Sequence, residues 1–443
     1  MSRRRVILSI IAAGLLLAGV IGGPIAFQPG PYAFVGGKAV DPSSYVGPSP
    51  TGIPPELAQA DARTRGEYIT RMSDCEACHT AKGGEPFAGG RPFILPFGTI
   101  FAPNITADLD TGIGAWSDAQ FLRAVHQGIS ADGSRLYPAF PYASYTMLTD
   151  TDVLAIKSYL FSLKPVKLAN KPNTFFFPFN QRWLMAFWSA FFNSDKRFRP
   201  IPEQSPAWNR GAYLVEAAGH CGECHTPRNL MQAMNQRRKF AGGAAEGWTA
   251  YNITSDPMSG LGSWSSDEVA AYLANGHAHG RGTASGPMGE AVELSLSRLT
   301  QTDIAAIVTY LRSVKPIHND ALPEPSATAA DSPNVASVQN MEGKRMFEGN
   351  CVSCHAWSGA GSLLDEAQLT GIRAVNDVTA TNVVQMILSG SGGCESHTPC
   401  MPEFATAYSD AEIAAVANYV TGRFGSRPSR TTPDQVAMLR AQD

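Results

Sequence analysis

The sequence is poor in charge and has no excess of basic residues. Asp, Glu, Lys and Arg make up 16% of its 443 residues, and the formal net charge is −3. An average soluble chain is about 25% charged. A nucleic-acid-binding domain would carry a basic stripe along one face or one helix. The composition therefore predicts no nucleic-acid partner.

The sequence also lacks the short motifs that mark several common catalytic sites. It has no G-x-S-x-G nucleophile elbow, no phosphate-binding P-loop and no G-x-G-x-x-G dinucleotide fingerprint. No residue is marked out as an acid, a base or a nucleophile. We therefore predict no catalytic residue and no substrate chemistry of the chain's own.

Cysteine is scarce but regularly placed, and six of the eight cysteines fall into three C-x-x-C-H frames. The frames are Cys75, Cys78 and His79; Cys221, Cys224 and His225; and Cys351, Cys354 and His355. This pattern is the attachment signature of haem c, in which two thiols form thioethers with the haem and the adjacent histidine ligates the iron. The rivals are a zinc knuckle, which would need further Cys or His ligands at regular offsets, and a redox-active C-x-x-C pair. The sequence predicts three covalently bound haem c groups.

Each frame lies inside an internal repeat. A short helical segment precedes each frame and contains a glycine, at Gly66, Gly211 and Gly343. An amphipathic segment closes each unit and begins with a Ser or Thr cap followed three residues later by an acid. That acid stands seven residues before a tyrosine in all three units, at Asp152–Tyr159, Asp303–Tyr310 and Glu412–Tyr419. We expect the glycines to let two helices cross closely, with a turn as the alternative. The repeats predict an all-α fold of three tandem cytochrome c-like domains.

The first two units share further sequence. Asn104-Ile105-Thr106 matches Asn252-Ile253-Thr254, and Trp116 occupies the same place as Trp264. A haem propionate needs hydrogen-bond donors, and an indole N–H can supply one. Trp116 and Trp264 are therefore candidates for binding propionates, and the alternative is a core aromatic at the start of a helix.

The sixth iron ligand is predicted to be methionine, because a thioether opposite histidine raises the haem potential and suits electron transfer. In the first unit Met147 is assigned by elimination. Phe140 stands where the third unit has Met401, so His126 remains a rival ligand.

The other two units offer clearer methionines. Met288 is assigned in the second unit because the sequence predicts that it lies in a loop before the closing helix. Its rivals in that unit are Met231, Met234 and Met258. Met401 is assigned in the third unit in preference to Met386, which lies inside a predicted helix.

Two cysteines stand outside the frames. Cys394 and Cys400 lie just before Met401, in a stretch of seven residues. In an exported protein we expect them to form a disulfide, which would stiffen the approach to Met401. A redox-switching pair is the alternative.

The N-terminus predicts export. Three arginines at 3–5 precede an uncharged and mostly apolar run from Val6 to Phe27. At about 1.5 Å per residue this run spans about 30 Å, the thickness of a bilayer core. It is either a retained membrane helix or a cleaved signal peptide, and the lack of a convincing A-x-A site favours retention. In both cases the rest of the chain is exported, which predicts the periplasmic face of a bacterial inner membrane.

Pro-, Gly- and Ser-rich stretches separate the units and predict linkers. The predicted organisation is a transmembrane helix at 1–27, a linker at 28–55, cytochrome c domain 1 at 56–168, an aromatic-rich connector at 169–205, cytochrome c domain 2 at 206–318, a flexible linker at 319–340, cytochrome c domain 3 at 341–426 and a C-terminal tail at 427–443. The apolar part of the aromatic connector is too short to span a bilayer. It covers a partner, lies on the membrane surface, or packs as inter-domain core.

The chain resembles the triple-haem cytochrome c subunit of bacterial membrane-bound dehydrogenases. The three frames carry the resemblance, together with the stretches at 137–142, 179–182, 208–214 and 286–290. The resemblance implies a catalytic partner subunit of the molybdopterin and iron–sulfur type, the pyrroloquinoline quinone type or the flavin type. It also implies that the haems relay electrons from that subunit to membrane ubiquinone. The sequence at 237–243, Arg-Arg-Lys-Phe-Ala-Gly-Gly, is slightly more similar to that of the molybdenum aldehyde dehydrogenase branch.

Two other functions are open. One is a standalone membrane-anchored electron carrier that feeds a terminal oxidase. The other is a multihaem peroxidase or reductase, which would require one iron with an open coordination site.

Overall fold

The computed structural model describes residues 28–320, 322, 325, 339–362, 364–391 and 400–442. Each C-x-x-C-H frame stands within its own group of helices, and we call these groups the first, second and third units. The first unit contains α1 (Ala62–Met72), α2 (Cys75–His79), α3 (Asp118–Gln127), α4 (Tyr142–Tyr145) and α5 (Asp150–Ser162). A connecting helix, α6 (Leu184–Phe192), follows it. The second unit contains α7 (Pro206–Tyr213), α8 (Gly222–His225), α9 (Ser266–Asn275), α10 (Gly286–Leu294) and α11 (Gln301–Ser313). The third contains α12 (Met341–Asn350), α13 (Val352–His355), α14 (Thr381–Ser389), α15 (Asp410–Phe424) and α16 (Pro433–Arg440).

Small antiparallel hairpins interrupt the helices of the first two units. The strand pairs are β1 (Pro92–Leu95) with β2 (Gly98–Phe101), β3 (Gly243–Ala245) with β4 (Trp248–Ala250), and β5 (His277–Ala278) with β6 (Gly282–Thr283). In the longest hairpin Pro92 stands opposite Phe101 and Leu95 opposite Gly98. The prediction of a mostly helical fold is confirmed. The hairpins were not predicted, because strands of two to four residues show too little alternation to be recognised.

Each unit is built on two crossed helices, and a glycine makes the crossing close. A Cβ placed on the glycine would lie 2.7–2.8 Å from the Cβ of a tyrosine in the closing helix. The pairs are Gly66 with Tyr159, Gly211 with Tyr310, and Gly343 with Tyr419. No real Cβ can approach another heavy atom so closely, so the prediction that these glycines allow close crossing is confirmed.

The closing helices begin at the predicted caps. Backbone amides of the third helical residue donate to the hydroxyls of Thr149, Thr300 and Ser409. Among these three closing helices, only the third has a reciprocal capping box, in which the Glu412 carboxylate also accepts from the Ser409 amide at 2.8 Å. The carboxylates of Asp152 and Asp303 bind groups across the boundary between the first and second units instead.

One continuous hydrophobic core serves the first and second units, whereas the third unit has a core of its own. Where the first two units meet, Asp303 accepts from Tyr68, and Asp152 accepts from Tyr213. The guanidinium of Arg210 adds two hydrogen bonds to Asp303, at 2.7 and 2.8 Å. Because these charged groups are buried but paired, the junction avoids the cost of an unsatisfied charge.

The predicted linker at 28–55 packs on the second unit and on the junction. The ring of Tyr32 stands 6.2 Å from that of Trp208, edge to face. Arg210 donates to the carbonyls of Pro50 and Gly52 at 3.0 and 2.9 Å. Pro, Gly and Ser composition predicts a segment without regular structure, but it does not decide whether the segment is held by its neighbours.

The third unit docks on the second through polar contacts. Asn382 pairs with both backbone groups of Thr249, at 2.7 and 2.9 Å, and the imidazole of His277 lies 3.1 Å from the Asp365 carboxylate. The predicted flexible linker at 319–340 lies largely outside the described residues. The predicted C-terminal tail at 427–443 contains α16, which packs on the third unit through the buried Val436.

Within residues 28–442, as far as the structure describes them, no helix is long and apolar enough to cross a membrane. The membrane helix predicted at 1–27 lies outside the described residues.

Candidate haem sites

The three C-x-x-C-H frames all fold as short helices. These are α2, α8 and α13, and each ends on the histidine of its frame. All six frame cysteines are free thiols. Burial raises the pKa of Cys75, Cys221 and Cys224 to about 12, and that of Cys351 to about 11. These four buried thiols are therefore protonated at neutral pH.

Each frame histidine is held by one backbone hydrogen bond. The Nδ1 atoms of His79, His225 and His355 lie 2.8, 2.7 and 2.6 Å from the carbonyl oxygens of Pro103, Tyr251 and Ala367. A carbonyl can only accept, so Nδ1 carries the proton and Nε2 has a free lone pair. Burial lowers the pKa of all three imidazoles and keeps them neutral. This tautomer is the one that ligates iron through Nε2.

In the first two units an asparagine fixes the carbonyl that orients the histidine. Asn104 directly follows Pro103, and its amide donates to the carbonyl of Val166 at 2.7 Å. Asn252 directly follows Tyr251 and donates to the carbonyl of Ile317 at the same distance. The matching Asn-Ile-Thr triplets were visible in the sequence. Their role was missed because the spacing between histidine and carbonyl is not a recognised signature.

One cavity of about 940 Å³ contains the frames of both the second and the third units. Its lining includes Cys221, Cys224, His225 and Met288 from the second unit, and Cys351, Cys354, His355 and Met401 from the third. Pockets for drug-sized ligands are about 300–1,000 Å³. The structure therefore brings each predicted histidine and methionine pair of these two units to the same cavity. Its size, its apolar walls and its free imidazole nitrogens fit haem.

The prediction that Met288 lies in a loop is wrong, because Met288 lies in the first turn of α10. The structure separates the rival methionines only in part. Met231 and Met258 are about half exposed and stand outside the cavity lining. Met234 lines a different cavity, of about 30 Å³. Met386 lies in α14 as predicted, but it lines the large cavity together with Met401. The choice of Met401 over Met386 stays a prediction.

The first unit has a different arrangement. Its frame reaches the large cavity through Asp74, Ala77 and Cys78, and His79 is not among the lining residues. Met147 is buried and lines the cavity of about 30 Å³ between the first and second units, and neither this cavity nor the large one is lined by both Met147 and His79. The assignment of Met147 as ligand stays a prediction.

The rival ligand His126 is buried with 1% of its surface exposed. Its Nδ1 lies 3.7 Å from the Asp150 carboxylate, and its Nε2 has no hydrogen-bond partner in the described part of the chain. Burial, reinforced by the charge of Arg197, lowers the pKa of His126 to about 4. The imidazole is therefore neutral at physiological pH.

A charged cluster joins the first unit to the second beside the cavity. Arg91 binds the Glu290 carboxylate at 2.6 Å and the Glu246 carboxylate at 3.0 Å, and it also donates to the carbonyl of Ala77. Burial raises the pKa of Asp74 to about 7, and the negative charge of Glu290 adds to the shift. Sequence reasoning placed Glu290 only in a family motif and missed Arg91.

The two propionate candidates differ. Trp264 lines the cavity, packs edge to face on Tyr272 at 5.6 Å, and carries the guanidinium of Arg281 over its ring at 5.5 Å. Trp116 is partly buried against the shared core and does not line that cavity. Arg281 also lines the cavity, and a guanidinium is a stronger propionate donor than an indole. Sequence reasoning missed it because it considered only residues shared by two units.

Cys400 is disulfide-bonded. Its predicted partner, Cys394, lies outside the described residues. The pairing of these two cysteines therefore stays a prediction.

Comparison with known proteins finds family models that match single segments and relatives that match most of the chain. A model of the family "Cytochrome c" matches residues 63–164, and a model of "Cytochrome C oxidase, cbb3-type, subunit III" matches residues 338–420. The chain is 40% identical to one of the subunits of nicotinate dehydrogenase from Pseudomonas putida over 82% of its own length, but it spans only 30% of that protein.

Two further relatives are matched almost throughout. The chain is 36% identical to the fructose dehydrogenase cytochrome subunit of Gluconobacter japonicus, over 88% of this chain and 85% of that protein. It is also 36% identical to the gluconate 2-dehydrogenase cytochrome c subunit of Pantoea cypripedii, over 86% of this chain and 89% of that protein. With its C-x-x-C-H helices and oriented histidines, the chain belongs to the family of cytochrome c subunits of dehydrogenases.

Proposed function

We propose that this chain carries three covalently bound haem c groups, one per helical unit, and relays electrons from a catalytic dehydrogenase subunit to membrane ubiquinone. One observation carries the proposal: each C-x-x-C-H helix ends on a buried histidine whose Nδ1 donates to a backbone carbonyl. Haem iron bound there would change between its ferrous and ferric states and so transfer one electron at a time.

The residues of the chain would hold, orient and tune the haems. The six frame thiols would attach them, and His79, His225 and His355 would ligate the irons. The carbonyls of Pro103, Tyr251 and Ala367 keep each imidazole in the required tautomer and raise its basicity as a ligand. The apolar cavity would exclude water, and haem burial is one of the factors that set the potential.

The shared cavity supports an internal electron route. The frames of the second and third units line the same cavity, so their two haems would lie beside each other without a described helix or strand between them. The first frame borders that space through Cys78. We infer that electrons pass among the haems within one chain.

For the partner, we propose an aldehyde- or alcohol-oxidising dehydrogenase subunit. The sequence at 237–243 favours a molybdopterin aldehyde dehydrogenase. The site of action would be the periplasmic face of a bacterial inner membrane, because the apolar run at 6–27 suits an anchor. No residue of this chain is assigned a role in substrate oxidation.

The test is to express the chain with and without its genomic neighbour dehydrogenase and to purify both from membranes. Mass spectrometry should give the polypeptide plus three haems. Aldehyde or alcohol should reduce the haems only when the partner subunit is present, and a ubiquinone analogue should reoxidise them. A chain that purifies without haem, or haems that stay oxidised in the full complex with every substrate, would refute the proposal.

A second candidate is a standalone carrier that feeds a terminal oxidase. The similarity of residues 338–420 to the cbb3-type oxidase subunit III family supports it. The same preparation separates the two functions, because a standalone carrier should emerge from membranes without a larger catalytic subunit.

A further inference from the structure

The connector between the first and second units exposes an unusual amount of aromatic surface. Among the described residues, eight Phe and Trp side chains are at least a third exposed, and six of them lie between 176 and 191. These six are Phe176, Phe177, Phe179, Trp183, Phe187 and Phe191, and we call them the aromatic face. Within the face, ring contacts join Phe176 to Phe179 at 5.5 Å and Trp183 to Phe187 at 6.1 Å. Large exposed apolar patches on soluble proteins mark sites that bind a protein or a membrane.

Helix α6 presents part of this face as a single stripe. Trp183, Phe187 and Phe191 are four residues apart and are 61%, 61% and 62% exposed. Residues at that spacing lie on one side of a helix. Trp188 turns the other way, is 7% exposed, and donates its indole N–H to the carbonyl of Met231. One side of α6 is therefore packed on the protein, and the opposite side is exposed.

The segment that carries the face contains no acidic residue. Between residues 172 and 194 the only charged side chain is Arg182, and there is no Asp or Glu. The Arg182 guanidinium stands over the Tyr137 ring at 5.2 Å. Aromatic residues mixed with cations and free of carboxylates are typical of helices that lie in the headgroup region of a bilayer.

The loop that holds α6 also contacts the first described residue of the chain. Gln28, the first described residue, accepts a hydrogen bond from the backbone amide of Gln236 at 2.8 Å. The loop that leads to Gln236 contains Leu230 and Met231, which are 86% and 50% exposed. Met231 is also the residue that holds Trp188. Gln28, which directly follows the apolar run at 6–27 in the sequence, therefore lies beside the loop that supports α6.

We propose that the aromatic face and the tip of the 229–236 loop lie on the lipid bilayer, with the exposed rings in the headgroup region. This inference rests on the membrane location in the proposed function. The bilayer is the occupant that fits both the lack of Asp and Glu in residues 172–194 and the position of Gln28, which directly follows the apolar run at 6–27. The chain would then contact the membrane over a broad surface beside its N-terminal segment, and that contact would set the orientation of the haem units.

The test uses the full, haem-loaded chain in vesicles of phosphatidylethanolamine and phosphatidylglycerol, and in native membranes with its dehydrogenase partner. A photo-crosslinking amino acid, p-benzoylphenylalanine, replaces Phe187, Leu230 or, as a matched control, Met438. Met438 is also an exposed apolar residue, at 60%, but it lies on α16 of the third unit. Illumination at the first two positions should give phospholipid adducts several-fold above the control.

The outcomes separate the occupants. Adducts with the dehydrogenase subunit at Phe187 would overturn the inference and leave the electron-transfer proposal intact. Adducts at Phe187 and Leu230 no higher than at Met438 would overturn it as well. Haem absorbance of each purified variant reports whether it is folded and loaded, and haem reduction by the partner is measured separately from lipid contact.

Discussion

The Tyr68 hydroxyl donates to the Asp303 carboxylate at 2.6 Å, from the first unit into the second. The equivalent pair, Tyr213 and Asp152, makes the same bond in the opposite direction. The first two units are therefore joined by a reciprocal exchange, in which each opening helix donates to the closing helix of its neighbour. The third unit takes no part, because Arg345 occupies the tyrosine position and is exposed.

Tyr68→Phe should lower the stability of the junction. Removing the hydroxyl leaves a buried carboxylate with fewer donors, which costs about 1–3 kcal/mol. The pKa of Tyr68 is raised by burial and by Asp303, so the hydroxyl donates at all ordinary pH values. Thermal unfolding of the haem-loaded protein should show a lower midpoint. Tyr45→Phe is the control, since that side chain is partly exposed in the 28–55 segment. Equal midpoints for the two variants would contradict the role of the bond.

Gly343→Ala should disrupt the third unit. The added methyl group would stand about 2.7 Å from the Tyr419 Cβ, so α12 and α15 must separate. Overpacking of this kind costs about 1–3 kcal/mol or more. Gly349→Ala in the same helix is the matched control, because its Cβ would meet nothing within 4 Å. That change should be neutral or stabilising by up to about 1 kcal/mol. Denaturant unfolding followed by haem absorbance measures both, and similar losses would refute the argument from helix crossing.

Met401→Leu should erase one thioether-to-iron absorption band in the near infrared. The physical reason is that leucine fills a similar volume but has no sulfur to ligate iron. Met386→Leu is the control, because Met386 lines the same cavity from within α14. Loss of the band in Met386→Leu and its retention in Met401→Leu would reverse the assignment.

Stability should fall as the pH is lowered from about 6.5 toward 4, in part because of His126. Its folded-state pKa, lowered to about 4, lies below the ordinary value of 6.5, so the unfolded chain binds a proton first. The contribution of neutral His126 to the free energy of unfolding is fully present above pH 6.5 and is lost as the pH falls from 6.5 toward 4. The unfolding midpoint of His126→Gln should vary less between pH 7 and pH 5. An unfolding midpoint that varies with pH as much in His126→Gln as in the unchanged protein would contradict this role. An altered iron spectrum in His126→Gln would instead identify His126 as a ligand.

Much of the fold could be predicted because it repeats. The frames, the caps at Thr149, Thr300 and Ser409, and the glycines at the crossings follow from local chemistry that each unit uses again. The reciprocal Tyr–Asp hydrogen bonds between the first two units could not be predicted, because the sequence pattern around Asp152 and Asp303 indicates a helix cap equally well. The orienting carbonyls were missed for another reason: a backbone acceptor leaves no residue type to recognise. In the first unit Phe140 breaks the repeat, and the sequence then offers no rule for finding the sixth ligand.

The single cavity behind the second and third frames has a consequence for dissecting the protein. Each of these two units supplies part of the wall that covers the other's cofactor site. A shortened chain that ended before residue 339 would therefore not be a smaller working copy with one carrier fewer. It would open a remaining haem to water, and because solvent exposure helps to set a haem's potential, the truncated relay would have altered energetics as well as a missing step.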